Sequence, residues 1–125
     1  MNLNIAGVAQ TLCESLALCR RAGIADDIYF AALARNASRS GVSDMKEPKL
    51  RGHDYNPQFS LKHMAKDLRL ALETAAELSL QLDQTRHLKS IYDQGMSVGW
   101  SDDDFIGLVR LLGQGSEVTP VNTKV

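Results

Sequence analysis

Nothing in these 125 residues alternates between apolar and polar side chains for long enough to argue a β-strand, and no internal repeat is visible. Helices are then the only regular structure left, and the expectation is an all-α fold. No apolar run approaches the roughly 18 residues that a membrane span needs, and the start of the chain lacks the basic-then-apolar pattern of a secretory signal. A cytoplasmic protein without a membrane partner is expected. Lys and Arg number 14 against 15 Asp and Glu, and the two signs are interspersed. There is thus no basic stripe of the kind that tracks a phosphate backbone, which argues against a nucleic-acid partner. Cysteine is scarce. Cys13 and Cys19 lie six apart on one helical stretch, which points them to different sides, so they read as free thiols, a redox role being the alternative. His53, His63 and His87 lack the short spacings of a zinc site, and no metal is expected.

What is present is helical periodicity. With 44% hydrophobic residues the chain has material for one domain with a core and is too short for two. Residues 3 to 22 carry Leu3, Ala6, Ala9, Leu12, Cys13 and Leu16 at helical spacing, with Arg20 and Arg21 in the last turn and Gly23 as the left-handed stop. Asp26 reads as the N-cap of a second helix to about Arg35, with Ile28, Tyr29, Ala32 and Leu33 as its apolar side. From Asn36 to Pro57 the periodicity is weak, and a long connection with one short helix near Ser43 to Leu50 is expected. Ser60 reads as the N-cap of the longest internal helix, running to about Leu80. Asp83 would cap another from Gln84 to about Met96, whose end Gly95 and Gly99 loosen. Ser101 with Asp102, Asp103 and Asp104 reads as the start of a closing helix that buries Phe105, Leu108, Val109 and Leu112. Residues 113–125 have no apolar period and read as a flexible tail, leaving residues 1–112 as a single compact bundle of five to six helices.

The densest chemistry lies in Phe59-Ser-Leu-Lys-His-Met-Ala-Lys-Asp-Leu-Arg-Leu-Ala-Leu-Glu73. As a helix it has an apolar stripe of Leu61, Met64, Leu68, Leu72 and Ala75, with His63, Lys66, Asp67 and Leu70 on the neighbouring face. Each polar group carries two readings. Lys66 and Asp67 are either ligand-facing groups or a solvated helix face. His63 pairs with Asp67 or is an idle surface imidazole, and Phe59 is either a site aromatic or a hydrophobic staple on the first turn. Lys46, Lys49, Arg51 and His53 form a small basic cluster in the long connection that would suit an anion, and Trp100 is a turn aromatic tucked on the bundle or an exposed anchor.

Landmarks along nearly the whole chain fall in the order of a known family. Glu14-Ser-Leu-Ala-Leu and Arg21-Ala-Gly-Ile, Asn56-Pro-Gln-Phe59, Lys66-Asp67-Leu68, and Asp103-Asp-Phe105 with Leu108 to Leu112 together resemble the C-terminal helical domain of the β-hydroxyacid dehydrogenases, the 3-hydroxyisobutyrate dehydrogenase-like family. The resemblance implies the helical fold of the 3-hydroxyisobutyrate and 6-phosphogluconate dehydrogenase C-terminal domains. It also implies an NAD or NADP-dependent activity in complete family enzymes. It places Phe59, Asp67 and Asn2 at the substrate site and Lys66 near the cofactor. The Rossmann domain with its Gly-x-Gly-x-x-Gly turn has no counterpart in the sequence, and the family's catalytic lysine, from a Gly-x-x-x-Lys-x-x-Asn-Asn pattern, would fall just before Met1 with Asn2 as the second asparagine. The implied protein is a stand-alone or truncated substrate-cleft and dimerisation domain that holds no cofactor and no catalytic residue by itself, with a Rossmann domain in trans as a further option. A homodimer through the N-terminal helix is expected, since Ile5, Val8 and Leu12 lie where a partner would cover them. The other reading is a non-enzymatic helical module that kept the fold and binds a protein partner or a small anion.

Overall fold

The structure is a computed structural model that describes residues 2–113. They form α1 (Asn2–Arg21), α2 (Asp26–Ala34), α3 (Gly41–Gly52), α4 (Leu61–Glu77), α5 (Asp83–Ser97), a 3₁₀ turn (Phe105–Leu108) and α6 (Val109–Gly113). The all-α expectation holds: the described residues form six helices and no strand. The tail expected from residue 113 onward lies outside the described residues except for Gly113, which closes α6.

Helix α1 runs through the middle, and every other element packs on it. Its Ala6, Ala9, Leu12, Cys13 and Leu16 are buried at the expected spacing, and the two alanines let neighbours approach closely. Its end is closed by a Schellman pattern: the Ile24 N–H donates to Cys19 O (2.9 Å) and the Gly23 N–H to Arg20 O (3.0 Å), with Gly23 at φ 86°. Arg20 does more than oppose the helix dipole. Its guanidinium grips both Asp26 oxygens (2.9 and 2.7 Å) and donates to Leu50 O (3.1 Å), clasping the ends of α1 and α3 to the start of α2. Asp26 is therefore not the cap of α2. That position is Ala25, without a side-chain hydrogen bond, and α2 turns Phe30 into the core while Ile28 stays exposed.

The long connection proves to be mostly helix. Ser40 and Ser43 make a reciprocal capping box, and α3 then runs twelve residues through Pro48 to a left-handed cap at His53. Its inward face is Ser43, Lys46, Lys49 and Leu50, so the basic cluster is taken apart: Lys46 and Lys49 are buried, and Arg51 pairs with Asp27 and Glu47.

Helices α4 and α5 form a hairpin. Ser60 caps α4 as expected, accepting from the His63 N–H (3.4 Å). The helix ends at Glu77 rather than Leu80, because Ser79 adopts a left-handed φ of 56°. Asp83 does not cap α5 but pairs with Arg86 (2.7 Å). Gly95 does not loosen the helix end: it is buried where a Cβ would come within 2.5 Å of Leu108 and 2.8 Å of Leu61.

The closing segment also differs. Ser101 caps nothing and instead donates to Met96 Sδ (3.4 Å); Asp104 is the cap, accepting from the Ile106 N–H (2.9 Å) at the head of the 3₁₀ turn. The three aspartates expected to share one helix start go to three cations: Asp102 to Lys62 (2.8 Å), Asp103 to Arg110 (2.8 Å) and Asp104 to Lys46 (3.0 Å). Phe105, Leu108 and Val109 are buried, whereas Leu112 is exposed. The Arg110 guanidinium lies 3.9 Å from the Trp100 ring and 4.4 Å from the Tyr55 ring, which holds Trp100 against the bundle.

Candidate functional site

Ser60 starts α4 at a position that lines up Phe59, His63 and Asp67 at four-residue spacing on one flank, and the core stripe Leu61, Met64, Leu68 turns the other flank inward. At the far end of this flank Asn2, in the first turn of α1, donates from Nδ2 to Asp67 Oδ2 at 2.5 Å, a bond between residues 65 apart in sequence. Beside it an open hollow of about 350 Å³ is lined by Asn2, Leu3, Asp67, Leu70 and Ala71.

Two of the four residues expected at a site, Asn2 and Asp67, are thus brought together. Lys66 does not join them. Successive residues on a helix point about 100° apart, and Lys66 is exposed and forms no ion pair among the described residues. Phe59 is half-buried one to two turns away, edge-on to Phe105 (ring centroids 6.5 Å) and tilted over His63 (5.9 Å), as a packed aromatic would be. His63 turns away from Asp67, its Nδ1 lying 2.6 Å from Ser60 Oγ. Of the two readings of His63, the pairing with Asp67 is not formed, and Asp67 pairs with Asn2 instead.

The hollow joins a carboxylate and a carboxamide to the apolar walls of Leu3 and Leu70. Asp67 is anchored through one oxygen, which leaves the other as an acceptor, and Asn2 contributes an amide. The free carboxylate oxygen can accept a hydrogen bond from a hydroxyl or other donor placed in the hollow. Among the described residues no cluster of three His, Cys, Asp or Glu side chains is placed to hold a metal ion. The described residues also do not fit a whole dinucleotide: they contain no strand leading through a glycine-rich turn into a helix N-terminus, the device that takes its phosphates. No described helix is long and apolar enough to cross a membrane.

The residue that sequence reasoning misplaced most is Lys46. Its ammonium, 1% exposed, sits 3.0 Å from both Asp104 oxygens and 2.8 Å from Gln58 Oε1. Burial pulls its pKa down from the usual lysine value while the Asp104 carboxylate opposes that shift. Asp104 further accepts from the Gln58 and Phe59 N–H groups (2.8 and 3.3 Å), so it fixes the extended segment that leads into α4. A Ser-x-x-Ser start at position 40 was the signal that places Lys46 on the same inner face as Ser43 and Leu50.

A family model described as "NAD-binding of NADP-dependent 3-hydroxyisobutyrate dehydrogenase" matches residues 1–112. Glyoxylate/succinic semialdehyde reductase 2 of Arabidopsis thaliana is 25% identical over 112 residues, which is 90% of this chain and 31% of the reductase. The cytokine-like nuclear factor N-PAC of Aedes aegypti is 32% identical over 100 residues, 80% of this chain and 17% of that protein. In three dimensions a 3-hydroxyisobutyrate dehydrogenase from Salmonella typhimurium superposes with a TM-score of 0.83 at 22% identity, over 88% of this chain and 39% of its own, which shows a common fold. The chain spans about a third of the length of the reductases it matches.

Proposed function

The chain belongs to the NADP-dependent 3-hydroxyisobutyrate dehydrogenase family, and from that premise we propose that it serves as one wall of the substrate cleft of an NAD(P)-dependent β-hydroxyacid dehydrogenase. The observation that carries this reading is the Asn2–Asp67 hydrogen bond across the first turn of α1 and the middle of α4, with the hollow beside it. Asp67 and Asn2 hold the polar end of a small hydroxy acid or semialdehyde against Leu3 and Leu70. The hydride and the reacting proton come from a dinucleotide-binding domain, in the same polypeptide or in trans, which contributes the other wall and the lysine of the Gly-x-x-x-Lys pattern. Lys66, exposed on the adjacent face of α4, is the cation that would meet the cofactor of that domain. By itself the chain orients substrate and does not turn it over.

Calorimetric titration of 3-hydroxyisobutyrate and of succinic semialdehyde into the wild-type chain and into Asp67→Ala tests the reading. Weak binding that disappears in Asp67→Ala supports a retained wall; no heat from either compound with the wild type counts against it. The similarity to N-PAC, a nuclear factor by name, favours a second reading, in which this domain binds a partner without catalysis. That reading gains if neither compound binds while the fold is intact.

A further inference from the structure

The basic cluster expected before α4 is dispersed, and one of its members meets two other cations. His53, at the cap of α3, joins Arg20 from the last turn of α1 and Arg110 of α6 around a small hollow of about 60 Å³. Three of its seven lining residues are thus basic and none is acidic. Arg20 stands 18 positions from Asn2 on α1, about 27 Å by the helical rise. The hollow therefore lies at the opposite end of that helix from the Asn2–Asp67 pair.

Both guanidiniums are fixed in place by the fold. Arg20 is gripped by the two Asp26 oxygens and donates to Leu50 O. Arg110 donates from Nε to Gly107 O and from Nη2 to Asp103 Oδ2 (2.8 Å each), and it is stacked on the rings of Trp100 and Tyr55. Asp26 and Asp103 offset part of this positive charge, but neither lines the hollow. Arg110 Nη1 and His53 Nε2 have no hydrogen-bond partner among the described residues; the His53 Nδ1 lies 3.5 Å from the Tyr55 hydroxyl. His53 also sits where a helix ordinarily places glycine: its φ of 50° is left-handed, and Gly52 stands one position too early to serve. An exposed imidazole takes that position instead, at the rim of the hollow.

We infer that this hollow is a binding site for the phosphate group of a small soluble phosphate ester. Arg110 and His53 supply hydrogen bonds, and Arg20 adds positive charge from a third side. A tetrahedral oxyanion presents oxygens in all three directions. A planar carboxylate has two oxygens and is satisfied by a single guanidinium fork, as Asp26 is by Arg20. The volume equals that of about two waters at roughly 30 Å³ each, which admits one phosphate group and leaves the remainder of the ester in solvent. Binding is weak, in the millimolar range, because each guanidinium is already shared with an aspartate and the hollow is open to water. The site is separate from the substrate cleft, so neither reading depends on the other.

Amide NMR shifts of the isotope-labelled chain, followed while sodium phosphate replaces sodium chloride at constant ionic strength, test the inference. Saturable shifts confined to residues 17–20, 53–55 and 109–113 are expected, with the same set from glycerol phosphate and none from acetate. Arg110→Gln is expected to weaken binding by about tenfold and His53→Asn by about threefold. Asparagine tolerates the left-handed angle, so His53→Asn removes the imidazole and keeps the cap even if Arg110→Gln disturbs the fold. Arg86→Gln, which removes an exposed cation of α5, is expected to leave the affinity unchanged. Shifts that never saturate, that spread over exposed cations generally or that acetate reproduces overturn the inference, as does an affinity that His53→Asn leaves unaltered.

Discussion

Lys46 Nζ stands 3.0 Å from each carboxylate oxygen of Asp104, with both side chains almost wholly removed from water and their positions 58 apart in the chain. The ammonium also lies 4.5 Å from the centre of the Phe105 ring. Through this pair α3, the extended segment before α4 and the 3₁₀ turn are joined at one point. Removing one partner strands a buried charge, at a cost of about 3–5 kcal/mol. Asp104→Ala is expected to cost more than Lys46→Met, because it also deprives the Gln58, Phe59 and Ile106 N–H groups of their acceptor. The double variant Lys46→Met/Asp104→Ala is expected to cost less than the sum of the two single changes. Urea unfolding of all four proteins measures this, and strictly additive losses would show that the two charges are not coupled.

Arg20 and Asp26 give the acid side of the stability curve a definite shape. The hydrogen bonds from the guanidinium hold the Asp26 carboxyl below its ordinary 3.8, with burial opposing. A carboxyl depressed in the folded state binds its proton more readily when unfolded. Its contribution is therefore complete above the unfolded value and is lost as pH falls through the folded one. Asp26→Asn is expected to cost about 1–2 kcal/mol at neutral pH and progressively less in acid, so that the two melting curves converge below pH 3.8. Curves that stay parallel from neutral pH into acid would disprove the assignment.

The two thiols are expected to differ sharply in reactivity. Cys13 is 1% exposed in the core, and burial pushes its pKa up to about 12, with the Glu14 carboxylate adding to the shift. At neutral pH it is a protonated core side chain and inert, since the thiolate is the nucleophile. Cys19, half-buried at the end of α1, is the site that an alkylating reagent reaches first. Peptide mass mapping after mild iodoacetamide treatment reads the result directly; equal modification of both cysteines in the folded protein would refute the placement of Cys13.

The parts of this fold that were legible in sequence are those that local chemistry decides. Ala6 to Leu16 repeat every three or four residues and Gly23 ends their helix, so α1 could be placed from its own residues. Ser60 likewise marked the start of α4. What stayed hidden depends on residues far along the chain. A lysine among Ser, Gly, Asp and Pro reads as solvated, and only Asp104 makes burial of Lys46 tolerable. Asp26 and Asp83 have the composition of caps, but arginines claimed both carboxylates instead. The candidate site divides in the same way. Resemblance set Asn2 and Asp67 in one site, yet no spacing rule joins residues 65 apart, and the bond between them appears only once α1 and α4 are packed.

The end of α4 shows how a single backbone angle was missed, and it supplies a test. Leu80 N–H donates to Ala75 O (2.8 Å) and Ser79 N–H to Ala76 O (3.1 Å), the same Schellman pattern that closes α1, but the left-handed position is held by Ser79 at φ 56° where α1 uses Gly23. The sequence has no glycine here to mark the stop, so its apolar pattern alone carries the expected helix on to Leu80. A β-carbon in the left-handed region costs roughly 1–2 kcal/mol, and a glycine avoids that cost while giving back part of it as extra freedom in the unfolded chain. Ser79 is exposed and its side chain takes part in none of the described packing. Ser79→Gly is therefore expected to stabilise the protein by about 0.5–1 kcal/mol, and Ser79→Val to destabilise it because a β-branched residue tolerates this angle least. Thermal unfolding of the two variants beside the wild type checks the order; Ser79→Gly melting below the wild type would show that the turn is not held in the left-handed conformation.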